Sequence, residues 1–129
     1  MDSRFRIRFD IVKTIYNSER KFVIFSYDAS HGVLLLRSAK TTSSDTRCDV
    51  VFSDVRAMEL RISSDGITIS EVELAHLETF KSSPLDLMEE GLVAYKVGND
   101  TWSGFVLGGI VTTAEDYEDF FERSPLLPT

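Results

Sequence analysis

The sequence predicts a mainly β domain, α+β only in minor part. It is expected to be an antiparallel sandwich or partly closed barrel of about eight strands, with one short internal helix and an amphipathic helix at the C-terminus. Three observations carry this. Apolar and polar residues alternate with period two at the N-terminus and again in the middle of the chain. Short apolar runs are separated by Gly, Asn, Asp and Ser clusters at hairpin spacing. Helix punctuation occurs in only two places.

In order along the chain, residues 4–11 place Phe5, Ile7, Phe9 and Ile11 on one sheet face and Arg4, Arg6, Arg8 and Asp10 on the other. Asn17-Ser18-Glu19-Arg20 reads as a turn, and residues 21–27, apolar on both faces at their centre, as a more deeply buried strand. The loop Asp28-Ala29-Ser30-His31-Gly32 returns the chain into a strand over residues 33–37. Residues 38–46 are small and polar, a surface loop. Strands follow over residues 47–52 and 57–62. Asp65-Gly66, a favoured type I′ pair, predicts a hairpin in which Ile62 faces Ile69 and Ile67 shares their face.

Residues 72–80 have apolar positions at mixed spacing and fit strand or helix. Ser83, Pro84 and Gly91 are matched start and stop signals for a two-turn helix over residues 84–90. Strands resume at 92–97 and 101–111, joined by a turn around Gly98-Asn99-Asp100, with Gly104, Gly108 and Gly109 marking a bend or bulge. Thr113 suits the N-cap of a final helix over residues 114–123, in which Tyr117, Phe120 and Phe121 form one apolar stripe packed on the sheet as a lid. A pleckstrin-homology-like barrel, which the chain resembles only in ending its strands with a capping helix, is the leading architectural alternative.

The chain of 129 residues is one domain with no internal repeat. No apolar run approaches membrane-spanning length, and the charged N-terminus is unlike a secretion signal. A lone cysteine, Cys48, forms no internal disulfide, and a reducing cytoplasm is expected. The net charge of −7 argues against nucleic-acid binding. That charge is uneven, +4 over residues 1–40 and −11 over residues 41–129.

No motif carries catalysis. Asp28, Ser30 and His31 hold the residue types of a hydrolase triad, but within one short loop, where a solvated hairpin tip is the ordinary reading. His76 lacks the paired spacing of a zinc site, and Cys48 lacks a histidine to activate it. The glycines of residues 104–109 match neither phosphate-binding pattern. No cofactor and no metal are expected. Arg4, Arg6 and Arg8 stand about 6.6 Å apart, twice the rise per residue. They and the acidic face Glu115, Glu118, Asp119 and Glu122 are the candidate partner-binding residues.

The stretch Asp49-Val50-Val51-Phe52-Ser53-Asp54-Val55-Arg56-Ala57-Met58-Glu59-Leu60, with its F-x-x-V step, resembles small bacterial immunity-type proteins of polymorphic toxin systems. The resemblance implies a non-enzymatic role in which a surface occludes a partner, and it transfers no functional residue. The expected function is therefore a cytoplasmic protein-binding module of immunity or regulatory type, its acidic surface facing a basic partner. The alternative is a small-ligand binder or enzyme with a cleft lined by Tyr27, Tyr95 and Trp102.

Overall fold

The computed structural model describes the backbone of residues 8–75 and 92–127, and the side chains of residues 13–73 and 92–127. These form one eight-stranded sheet, antiparallel at every pairing: β1 (Arg8–Asp28), β2 (Val33–Ser38), β3 (Arg47–Phe52), β4 (Ala57–Glu59), β5 (Ser63–Ala75), β6 (Val93–Gly98), β7 (Ser103–Gly108) and β8 (Val111–Asp116). The spatial order is β4-β7-β6-β5-β1-β2-β3-β8. The mainly β expectation holds. The architecture is a single sheet and not a two-sheet sandwich, and it does not close into a barrel.

The sheet nevertheless curls. β7 stands second from one edge and β8 forms the other edge, yet only Gly109 and Ile110 lie between them. A two-residue link brings the two ends of the sheet together. Ser53 pins the junction: its N–H donates to the Ile110 carbonyl at 2.9 Å, and its own carbonyl accepts from Gly109 N–H at 2.8 Å. Tyr95 on β6 adds a hydroxyl bond to the Gly109 carbonyl at 2.6 Å. Inside the curl lie Phe22, Leu34, Leu36, Val50, Phe52, Ile69, Val97 and Val106, each at most 3% exposed.

Two predicted turns are absent because bulges absorbed their residues. Residues 17–20 lie within β1, which runs unbroken for 21 residues beside β5. The register shifts between Ser18 and Lys21, opposite Gly66, whose φ is +83°. Gly66 thus takes the left-handed conformation the Asp-Gly pair advertised, but in the middle of β5, where it bends the ribbon and does not reverse it. Ile67 and Ile69 do share the inner face, whereas Ile62 is 80% exposed and faces neither. β4 correspondingly stops at Glu59. The predicted strand over 101–111 is in fact β7 and the start of β8, broken at Gly109. Gly104 is required by close approach: a Cβ there would sit 1.9 Å from the Glu59 carbonyl oxygen.

The C-terminal helix is a further correction. Residues 111–116 are β8, and residues 117–127 form turns and bends without helix. The β-branched Val111-Thr112-Thr113 run completes the ladder on β3, and buried arginines capture the carbonyls that a helix would have used internally. Tyr117 and Phe121 are 72% and 85% exposed, so the stripe is not a lid; Phe120 packs edge-on against Phe25 at 5.2 Å, and Phe121 touches the same two rings at 6.1 and 5.1 Å while keeping most of its surface in water. The capping-helix resemblance to a pleckstrin-homology-like barrel goes with it. The predicted helix over 84–90 and most of residues 72–80 lie outside the described residues, although β5 extends as strand to Ala75. Phe5 and Ile7 also lie outside them; Phe9 and Ile11 run in β1 opposite Leu74 and Val72. No helix of the described chain is long and apolar enough to cross a membrane.

Candidate partner-binding surface

Alternation along β2 and β3 sends Leu34, Leu36, Cys48, Val50 and Phe52 into the curl. By the same alternation Arg37, Arg47 and Asp49 project from the opposite face. That face is not solvated: Arg37 and Arg47 are 0% exposed and Asp49 1%. Buried charges persist only when paired and hydrogen-bonded, and the register supplies the pairs. Arg37 stands directly opposite Asp49 across β2–β3, and Arg47 opposite Asp116 across β3–β8. Each guanidinium grips its carboxylate in a fork. Arg37 donates from Nε at 2.7 Å and Nη2 at 3.1 Å, and Arg47 from Nε and Nη2 at 2.9 Å each.

The remaining donors point at the C-terminal segment. Arg47 Nη1 donates to the carbonyls of Asp119 at 2.8 Å and Glu122 at 2.7 Å, and Nη2 to Arg123 at 3.4 Å. Arg37 Nη1 donates to the Phe120 carbonyl at 2.5 Å, and its guanidinium lies 4.2 Å from the centre of the Phe25 ring. Two arginines thus fix four carbonyls of a segment that has no ladder of its own. Among the described residues no buried side-chain polar atom is left without a partner.

The Arg47 fork holds the Asp116 carboxyl below the ordinary carboxylate range, against the opposing pull of desolvation. A depressed folded-state pKa stabilises above the unfolded value and loses that contribution as pH falls through it. The urea midpoint of the wild type should therefore fall more steeply than that of Asp116→Asn as pH is lowered below about 4, the ordinary Asp range.

What the clamp presents is acidic and aromatic. Tyr117 and Phe121 face solvent beside Glu118 and Glu122, neither of which is in an ion pair with a described residue. Asp119 pairs with Lys40 at 3.6 Å, and Glu115 accepts from Thr46 Oγ1 at 2.5 Å while meeting Arg20 at 3.4 Å. An open groove of about 540 Å³ runs past Asp116, Glu118, Glu122, Arg123, Pro125 and Leu127. The outer edge of β8, away from β3, pairs with no described strand.

All four predicted acidic residues thus lie on or beside this segment, though on strand and turn in place of a helix face. Arg4 and Arg6 lie outside the described residues, and Arg8 is placed only by its backbone, opposite Ala75 on β5. The buried arginines went unread because a strand alternating charged and apolar residues normally turns its charges to water. The available signal was that Arg37, Arg47 and Asp49 fall on one face of two strands in succession.

The other candidates separate cleanly. Asp28, Ser30 and His31 do cluster, with Ser30 Oγ 3.0 Å and Asp28 Oδ2 2.8 Å from the same His31 Nδ1. A triad needs serine and aspartate on opposite ring nitrogens, so this is a turn network. Its bonds from Ser30 and His31 hold Asp28 below its usual range. Cys48 is buried, which pushes its thiol pKa up and away from nucleophilicity. Tyr27, Tyr95 and Trp102 do not converge: Tyr27 is 42% exposed on β1 beside the hairpin loop, Tyr95 is buried in the core, and Trp102 flanks the β6–β7 turn. His76 lies outside the described residues, among which no cluster of three or more His, Cys, Asp or Glu is placed to hold a metal. Comparisons with known families, curated proteins and solved structures returned no match to this chain.

Proposed function

We propose that the chain is a non-enzymatic protein-binding module, of immunity or regulatory type, whose C-terminal segment engages a basic partner in the cytoplasm. The observation that carries this reading is the exposure of Tyr117 and Phe121 on a segment held in place by two fully buried guanidinium groups. Large aromatics left in water on rigid backbone are the anchors that protein interfaces favour, because little conformational freedom is lost when they bind. Glu118 and Glu122 flank them and give the surface the sign that steers a cationic partner. The open edge of β8 adds backbone donors and acceptors for an extended segment of that partner.

The test compares wild type with Tyr117→Ala/Phe121→Ala in affinity capture from the native host, followed by titration of the captured protein. A basic protein should be retained by the wild type and bind the double variant at least about a hundredfold more weakly, as expected of two anchors. Glu118→Lys/Glu122→Lys should slow its association and flatten the salt dependence. Equal retention by wild type and double variant, or an acidic partner, refutes the proposal.

A further inference from the structure

A second cleft, which shares no lining residue with the C-terminal groove, is built around Trp102. Its volume is about 450 Å³, within the range of about 300–1,000 Å³ common for small-molecule sites. One wall is the segment from Arg61 to Asp65, entering β5; the other is the β6–β7 turn from Asn99 to Trp102. Both walls are fixed. Trp102 Nε1 donates to Ser64 Oγ at 3.0 Å, and Ser64 Oγ donates in turn to the Gly66 carbonyl at 2.6 Å. Asn99 ties the turn to the opposite wall: Oδ1 accepts from Thr101 N–H at 2.8 Å and Thr101 Oγ1 at 2.9 Å within the turn, while Nδ2 donates across to the Asp65 carbonyl at 3.0 Å and Ser64 Oγ at 3.3 Å. The indole also packs against the core cluster, with its Cζ3 edge 3.2 Å from where a Cβ on Gly104 would stand. The ring is therefore an oriented platform that does not have to be ordered on binding.

Four charged side chains surround it, Lys21 and Arg61 against Asp65 and Asp100. No ion pair joins them to one another or to another described residue. The Arg61 guanidinium stands 5.9 Å from the ring centre, at the outer limit of a cation–π contact, and is free to turn onto a ligand. An anion meets two carboxylates here, a cation meets two basic groups, and an apolar ligand strips water from all four without replacing a hydrogen bond. A neutral polyol answers each of them, because a hydroxyl donates to carboxylates and accepts from ammonium and guanidinium. Sugar C–H groups, polarised by neighbouring oxygens, sit well on the negative face of an indole. We infer that this cleft binds a neutral saccharide of one or two rings, a site separate from the partner surface.

Trp102 is the only tryptophan of the chain, so its emission reports on this cleft alone. The experiment titrates the whole protein with neutral hexoses, N-acetylhexosamines and their disaccharides, with inorganic phosphate and glycine as anionic and zwitterionic controls. At least one saccharide should shift the emission saturably, and Asp100→Ala, an exposed turn residue, should weaken that binding about tenfold with the thermal midpoint unchanged. Calorimetry on Trp102→Phe should show the same saccharide bound at least about tenfold more weakly. Silence across the saccharide panel, a response to phosphate or glycine alone, or full affinity in both variants overturns the assignment.

Discussion

Arg47→Ala should lower the unfolding free energy by about 3–5 kcal/mol, the usual cost of removing one partner from a buried ion pair. The substitution deletes the fork on Asp116 and the donors that serve the carbonyls of Asp119, Glu122 and Arg123. It also removes a cation about 4.0 Å from the buried Asp49, leaving Arg37 as that carboxylate's only charged partner. Urea unfolding followed by tryptophan emission measures the loss. Arg47→Lys should recover only part of it, because an ammonium keeps the charge but not the planar fork. Limited proteolysis locates the effect: residues 117–123 should become susceptible before the ladder of β1–β7 does. A wild-type midpoint in Arg47→Ala would mean that the arginine is incidental to the segment it contacts.

The same arginine shows why the sequence was legible in parts. Periodicity reports which residues share a face, and it placed Ile67 and Ile69 together correctly. It does not report what covers the other face. Nothing local marks Arg37 and Arg47 as buried: a distant segment, 83 residues along the chain from Arg37, lays its carbonyls over them. Turn chemistry failed for a related reason. Asp65-Gly66 supplies the positive φ of a hairpin, but β1 is long enough to pair with residues on both sides of that glycine. Once the ladder continues, a bulge costs less than a reversal. The C-terminal helix was lost to the same competition between local and tertiary bonds. Its N-cap signal and acidic first turn are present, but residues 111–116 gain a full strand pairing with β3. The acidic part of the surface was legible in composition because exposed charges need no partner to be recognised; its aromatic part, Tyr117 and Phe121, was expected to be buried and is not. The rigid support of that surface was not legible.

Truncation after Asp116 is expected to destabilise the domain by at least about 3 kcal/mol, the sum of two hydrogen bonds to charged groups at roughly 1.5 kcal/mol each. Four such bonds are present, from Arg37 to Phe120 and from Arg47 to Asp119, Glu122 and Arg123. Water replaces part of what is lost, because removing the segment opens the face it covered. Water does not replace the edge-on packing of Phe120 against Phe25, nor the desolvation that strengthens the Arg37–Asp49 fork. The segment and Arg47 act through the same bonds, so their effects must fall short of additive. Truncation in an Arg47→Ala background should cost less than in the wild type by about 0.5–3 kcal/mol, the coupling expected of groups in one network. A truncated chain that keeps the wild-type urea midpoint would show that residues 117–123 merely rest on the arginines. Full additivity of the two changes would show that the arginine stabilises through its carboxylate partner alone. In either case Tyr117 and Phe121 would stand on unsupported backbone, and their value as anchors for a partner would fall with it.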